Sequence, residues 1–228
     1  MLASSETRTW CFSPGVMLVT FFAEWALAAW VYARYRMDRV GSSVFALLVL
    51  LGTFQLAEYV ICLVEPSKAV AIFGYWAITF LPPLGIRLAT TLAERDEQVA
   101  RYSLFLAVVW CLLFAILPFS ITTVACTGNY TILTLAHPAG LLYGVYYFGL
   151  IGIGMMYTYQ AMISQSKMSR AAQWLFAGYA AILIPTVLVN IINAATRIAV
   201  PSIMCGFALL LALILAFGVL PRAGQRRS

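Results

Sequence analysis

Seven runs of about 20 predominantly apolar residues, at roughly 14–33, 43–64, 69–92, 102–120, 139–163, 171–195 and 201–220, constrain this chain more than any other feature. Each is long enough to cross a hydrocarbon layer as a helix, which satisfies its own backbone hydrogen bonds where water is absent. The expectation is an all-α protein, a single seven-transmembrane-helix bundle over residues 1–228. Only 10% of residues are charged and 63% are hydrophobic, whereas soluble domains carry about 25% charged residues. The segments between the runs are short and leave no room for a soluble catalytic or nucleic-acid-binding domain. The first run follows a polar stretch of 13 residues and exceeds the 7–15 or so residues of a signal-peptide core, so it reads as the first helix.

Seven crossings place the termini on opposite sides, and the basic residues say which. Arg34, Arg36, Arg39, Arg87, Arg95, Arg101, Lys167, Arg170, Arg222, Arg226 and Arg227 fall on the side of the C-terminus, 11 of the 14 Lys and Arg residues. Arg8, Lys68 and Arg197 fall on the other. By the positive-inside rule the N-terminus is outside and the C-terminus cytoplasmic. The formal charge of +6 therefore reads as topology, not as a nucleic-acid surface, and no nucleic-acid partner is expected. Pro82-Pro83-Leu84-Gly85 interrupts the third run, because proline lacks the donor that a helix interior needs, and predicts a kinked or broken helix.

Polar groups inside these runs are the functional leads. Glu58 lies in the second helix, and an ionisable group at membrane depth costs about 2.5–3.5 kcal/mol, so it normally faces protein or a water-filled cavity. Gln55, Glu58 and Cys62 are spaced i, i+3 and i+7 and share one helical face. Glu24, in the first helix, is ten residues beyond Pro14, or about 15 Å, at a depth where the antiparallel pairing of the two helices lets it meet Glu58. Two carboxyls so placed would share a proton and serve proton relay, cation binding or acid–base work. The bland alternative is two protonated acids hydrogen-bonded to neighbouring helices.

The sixth helix carries a second stripe, Tyr179, Thr186, Asn190, Asn193 and Arg197. Asn190, Asn193 and Arg197 are candidates for lining an outward-facing pocket around Glu58, with an Arg197–Glu58 ion pair as one option. Interhelical hydrogen bonding is the other reading. Tyr143, Tyr146 and Tyr147 of the fifth helix read first as an interfacial aromatic belt, with ligand contact by Tyr143 and Tyr147 as the alternative.

Of the five cysteines, Cys11 and Cys126 lie in outer segments, where a disulfide persists, and are the leading pair. Cys11, Cys126 and His137 lack metal-site spacing, so neither metal nor other cofactor is expected. There is no G-x-S-x-G, no Walker sequence and no lysine in the third or seventh helix for a retinal Schiff base. Asn129-Tyr130-Thr131 in the long outer segment is a formal glycosylation sequon.

Cys11-Phe12-Ser13 ahead of the first helix, together with Gln55-Leu56-Ala57-Glu58 in the second, resembles small uncharacterised bacterial multi-pass membrane proteins with an N-terminal Cys-Phe-Ser and a Gln-x-x-Glu second helix. The seven-helix layout and tyrosine-rich fifth helix also look like the membrane sensor region of bacterial histidine kinases. These resemblances imply a bacterial cytoplasmic-membrane protein. The leading functional expectation is a sensor-type or accessory subunit with a polar pocket around Glu58. A small-solute or proton-coupled transporter is the alternative, and an intramembrane enzyme using the carboxyl pair is third. Besides the lipid bilayer, a protein partner or a homo-oligomer within the membrane is expected.

Overall fold

A computed structural model of the chain describes residues 13–64, 66–117, 121–127, 130–164 and 166–224. Within them the chain forms seven spans long and apolar enough to cross a membrane. The helices are α1 (Pro14–Arg34), α2 (Arg39–Leu63), α3 (Lys68–Thr79), α4 (Leu81–Leu92), α5 (Gln98–Ile116), α6 (Ala139–Ile163) and α7 (Ser169–Ile192). The last span is composite: a 3-10 turn (Ala194–Ala199), α8 (Val200–Gly206), α9 (Ala208–Leu213), a π-helical turn (Ile214–Val219) and α10 (Leu220–Arg222). A two-stranded hairpin, β1 (Ile121–Cys126) and β2 (Thr131–Leu135), stands between α5 and α6.

Local chemistry sets the boundaries. Pro14 starts α1 at a position where its missing N–H costs nothing. The Asp38 carboxylate caps α2 by accepting from the Val40 and Gly41 amides, each at 3.0 Å. Arg39 then reaches Glu97 at 3.0 Å and ties the start of α2 to the start of α5.

α2, the α3–α4 pair and the last span form the buried centre, while α1, α5, α6 and α7 turn more of their surface outward. Those outward faces are apolar, as at Val19, Phe22, Phe105, Ile116, Val145 and Ile191. A surface of large exposed apolar residues on every peripheral helix is the pattern of an integral membrane protein. α1 lies along α2, α4 packs on α6, and α7 packs on the last span.

The expected break in the third span is present, with the helix interrupted at Phe80. Pro83 cannot donate to the carbonyl four residues back, that of Thr79. The Tyr146 hydroxyl donates to it instead, at 2.8 Å. Pro221 similarly leaves the Phe217 carbonyl without its helical donor. Arg222 supplies donors to Phe217 O and Gly218 O at 3.2 and 3.0 Å, and its guanidinium stacks 4.5 Å from the centre of the Trp174 ring. The seventh span is thus not the uninterrupted helix that its hydropathy suggests. Nor is the segment between α5 and α6 a plain loop: its described part is antiparallel, pairing Cys126 with Thr131 and Val124 with Leu133.

Candidate functional site

The hairpin covers one end of the bundle, touching α2, α3, α6 and α8, and the polar stripe of α2 is where it is fastened. Gln55, Glu58 and Cys62 do share a face, and each is engaged. Gln55 Nε2 donates to the Cys205 carbonyl at 2.7 Å. Glu58, 1% exposed, accepts from the Thr131 hydroxyl and is hydrogen-bonded to the Ser202 hydroxyl. Ser202 Oγ in turn accepts from the Thr131 amide at 3.2 Å. Through its hydroxyl and its amide Thr131 thus joins Glu58 of α2 to Ser202 of α8.

Cys62 is bonded to Cys126, with the Cα atoms 5.1 Å apart. This corrects the expected Cys11–Cys126 pair. Cys11 lies outside the described residues, and Cys126 is committed to the residue one helical turn beyond Glu58. The same hairpin is thus held to α2 covalently at β1 and by hydrogen bonds at β2.

Asn190, Asn193 and Arg197 do not converge on Glu58. The helical stripe that placed them there ends early, because α7 stops at Ile192. Asn190 donates to Thr186 O at 2.8 Å and accepts from the Thr196 hydroxyl at 3.0 Å. Asn193 accepts from the Ala195 amide, and Arg197 Nε donates to Asn190 O at 3.1 Å. These groups serve the unpaired carbonyls and amides where one helix ends and the next turn begins. Among the described residues Arg197 makes no ion pair with Glu58.

Glu24 is fully buried, and among the described residues neither of its oxygens has a hydrogen-bond partner. It therefore makes no direct bond to Glu58.

The tyrosines of α6 are not an interfacial belt. Tyr143 and Tyr147 are each 6% exposed, and Tyr143 makes edge contacts with Tyr75, Trp110 and Phe114 at ring separations of 5.3–5.6 Å. Thr79 Oγ1 gives its proton to Tyr75 O at 2.6 Å, so the 2.9 Å contact with Tyr143 is a bond donated by the tyrosine. Tyr75 itself donates to Leu133 O of the hairpin at 2.9 Å.

Beneath β2 these rings border a cleft of about 270 Å³ between the hairpin, α3, α6 and the start of the last span. Tyr143 and Tyr147 form one wall, Leu133 and Leu135 another, and Arg197 is the cation on its border. Arg197 is exposed and holds its place through Nε, which leaves the terminal guanidinium nitrogens for a ligand. Behind Tyr147 and Met204, which border both spaces, a second, apolar cavity of about 50 Å³ extends inward to the ring of Tyr179. The Tyr179 hydroxyl is buried without a partner among the described residues. Ordered bonds fix the walls, and the arrangement offers an apolar body with a cation at its mouth.

Sequence reasoning missed Thr131 and Ser202 as partners of Glu58, and Thr79 and Tyr75 as the frame of the cleft. The β-branched residues in Ile121-Thr122-Thr123-Val124 and Thr131-Ile132 were an available strand signal. No protein-family model matches the chain, and no curated protein matches it.

Proposed function

We propose that this chain is a sensor-type or accessory membrane module that binds a small anionic amphiphile in the tyrosine cleft beneath the hairpin. One observation carries the reading: the 270 Å³ cleft, apolar on its walls and bordered by Arg197, continues behind Tyr147 toward Tyr179. This moves the ligand site away from Glu58, whose carboxyl holds the hairpin. Gln55 and Glu58 then position the cover, while Tyr143, Tyr147 and Arg197 meet the ligand. The volume of the cleft, about 270 Å³, and its largely apolar lining suit the chain of a medium-chain carboxylate.

The proposed orientation has two supports. The basic residues gather at the end opposite the hairpin, as they do on the cytoplasmic side, and the Cys62–Cys126 bridge lies at the hairpin end, where oxidising surroundings keep a disulfide. The N-terminus and the cleft then face outward, and the bacterial cytoplasmic membrane is the proposed site. A protein partner would read the bound state through the lipid-facing helices.

The test uses decanoate as the probe and thermal stability of the purified full chain as the readout. Saturable stabilisation is expected, weakened by Arg197→Gln, since a charge-assisted hydrogen bond contributes about 1.5–3 kcal/mol, roughly tenfold or more in Kd. Equal titrations of wild type and Arg197→Gln would reject the cleft as the site. A transporter remains the second reading, favoured by the broken third span and by the partnerless Glu24. Decanoate counterflow in proteoliposomes would move the conclusion to it.

A further inference from the structure

Glu24 is the acid that the hairpin does not engage. Its side chain is 0% exposed, and both carboxyl oxygens are without a hydrogen-bond partner among the described residues. Gly52 of α2 makes the room: a Cβ there would stand 2.5 Å from Trp25 Cδ1 and 3.4 Å from the Glu24 Cβ. From the last span, the Cys205 carbonyl is taken by Gln55 Nε2. The next element against α1 is α9, which consists of alanine and leucine alone. No lysine, arginine or histidine is in α8 or α9, and in α2 the sole cation, Arg39, stands at its far end.

One helical turn from Glu24 toward the hairpin, Thr20 lines a small void with Gln55, Glu58 and Ser202. Its volume is about 10 Å³, close to the minimum for one water, and its polar lining supplies the two to four partners that a water needs. Glu58 borders this void, and Glu24, which does not line it, follows one helical turn further in, about 15 Å from the start of α1.

We propose that Glu24 is a proton-binding site inside the bundle, loaded from the hairpin end through Glu58 and the one-water void at Thr20. An isolated carboxylate at this depth, with no donor and no cation, carries a large desolvation cost, whereas the neutral acid does not. In each loading step the proton leaves the Glu58 acid for a water in the void, and a proton passes on beyond Thr20 to the Glu24 carboxylate one helical turn further in. Glu58 becomes the carboxylate and is reprotonated from water at the hairpin end, so charge and atoms balance. The inference rests on α1, α2 and α8, and holds independently of what occupies the tyrosine cleft.

Infrared spectroscopy of the full chain in lipid vesicles tests it without any activity assay. The carbonyl stretch of protonated carboxylic acids is expected in wild type, with the Glu24 component lost in Glu24→Gln. Glu24→Asp, which keeps the acid, should retain a displaced band and shows that loss reflects chemistry, not unfolding. Thr20→Val and Glu58→Gln should keep the Glu24 band but take up deuterium roughly tenfold more slowly, a barrier change of about 1.4 kcal/mol. Identical acid bands in wild type and Glu24→Gln would overturn the site. Wild-type deuterium uptake in both Thr20→Val and Glu58→Gln would overturn the route.

Discussion

Thr131, the first residue of β2, gives its hydroxyl to Glu58 of α2, 73 positions earlier in the chain. A carboxyl that would be costly in an apolar span is thereby made the anchor of an element from outside the helices. The bond counts twice, because the Thr131 amide also donates to Ser202, which is itself bonded to Glu58. Hairpin position, and with it the roof of the tyrosine cleft, depends on these bonds.

Thr131→Val keeps the shape and removes the hydroxyl, leaving a buried carboxyl short of one donor. A destabilisation of about 1–3 kcal/mol is expected, read as a lowered midpoint in denaturant. Thr131→Ser should restore most of it. A valine variant as stable as wild type would show that the hairpin is held by other means.

The bridge between Cys62 and Cys126 gives a second handle on the same element. Peptide mapping after alkylation in denaturant should find Cys111 and Cys205 modified without reductant, and Cys62 and Cys126 only with it. Cys62→Ser with Cys126→Ser should lower stability by about 2–4 kcal/mol. Protease should then cut first within 121–135.

How much of this was legible beforehand differs by residue. The seven spans and the break at Pro82-Pro83 follow from hydropathy and from proline's missing donor, and both are local properties. The face shared by Gln55, Glu58 and Cys62 was also local, but what it faces was not: Ser202 and Thr131 come from distant segments. Asn193 and Arg197 show the opposite error. Their spacing continues a helical stripe in the sequence, yet the helix ends at Ile192, so periodicity assigned them a face that the backbone does not have. Tyr143 and Tyr147 were read as interfacial because position along the span carries depth but not direction. Both are buried instead, Tyr143 by packing against α3 and α5.

Tyr146→Phe should show how the proline break is stabilised. It deletes the donor to Thr79 O, the carbonyl that Pro83 leaves free. The expected loss is about 1–3 kcal/mol for an unpaired buried acceptor. In a Pro83→Ala background, where residue 83 regains an N–H, the same substitution should cost clearly less. Additive effects of the two changes would disconnect the tyrosine from the break.

Tyr179 offers a prediction of opposite sign. Its hydroxyl is buried with no partner, and a Cβ at either Gly85 or Gly154 would approach within 2.6 Å of it. The two glycines leave room for an oxygen that forms no bond within the protein. An unpaired buried polar group is unfavourable by about 1–3 kcal/mol, so Tyr179→Phe should stabilise the ligand-free chain or leave it unchanged. A Tyr179→Phe variant that melts earlier than wild type would mean that the hydroxyl has a structural partner.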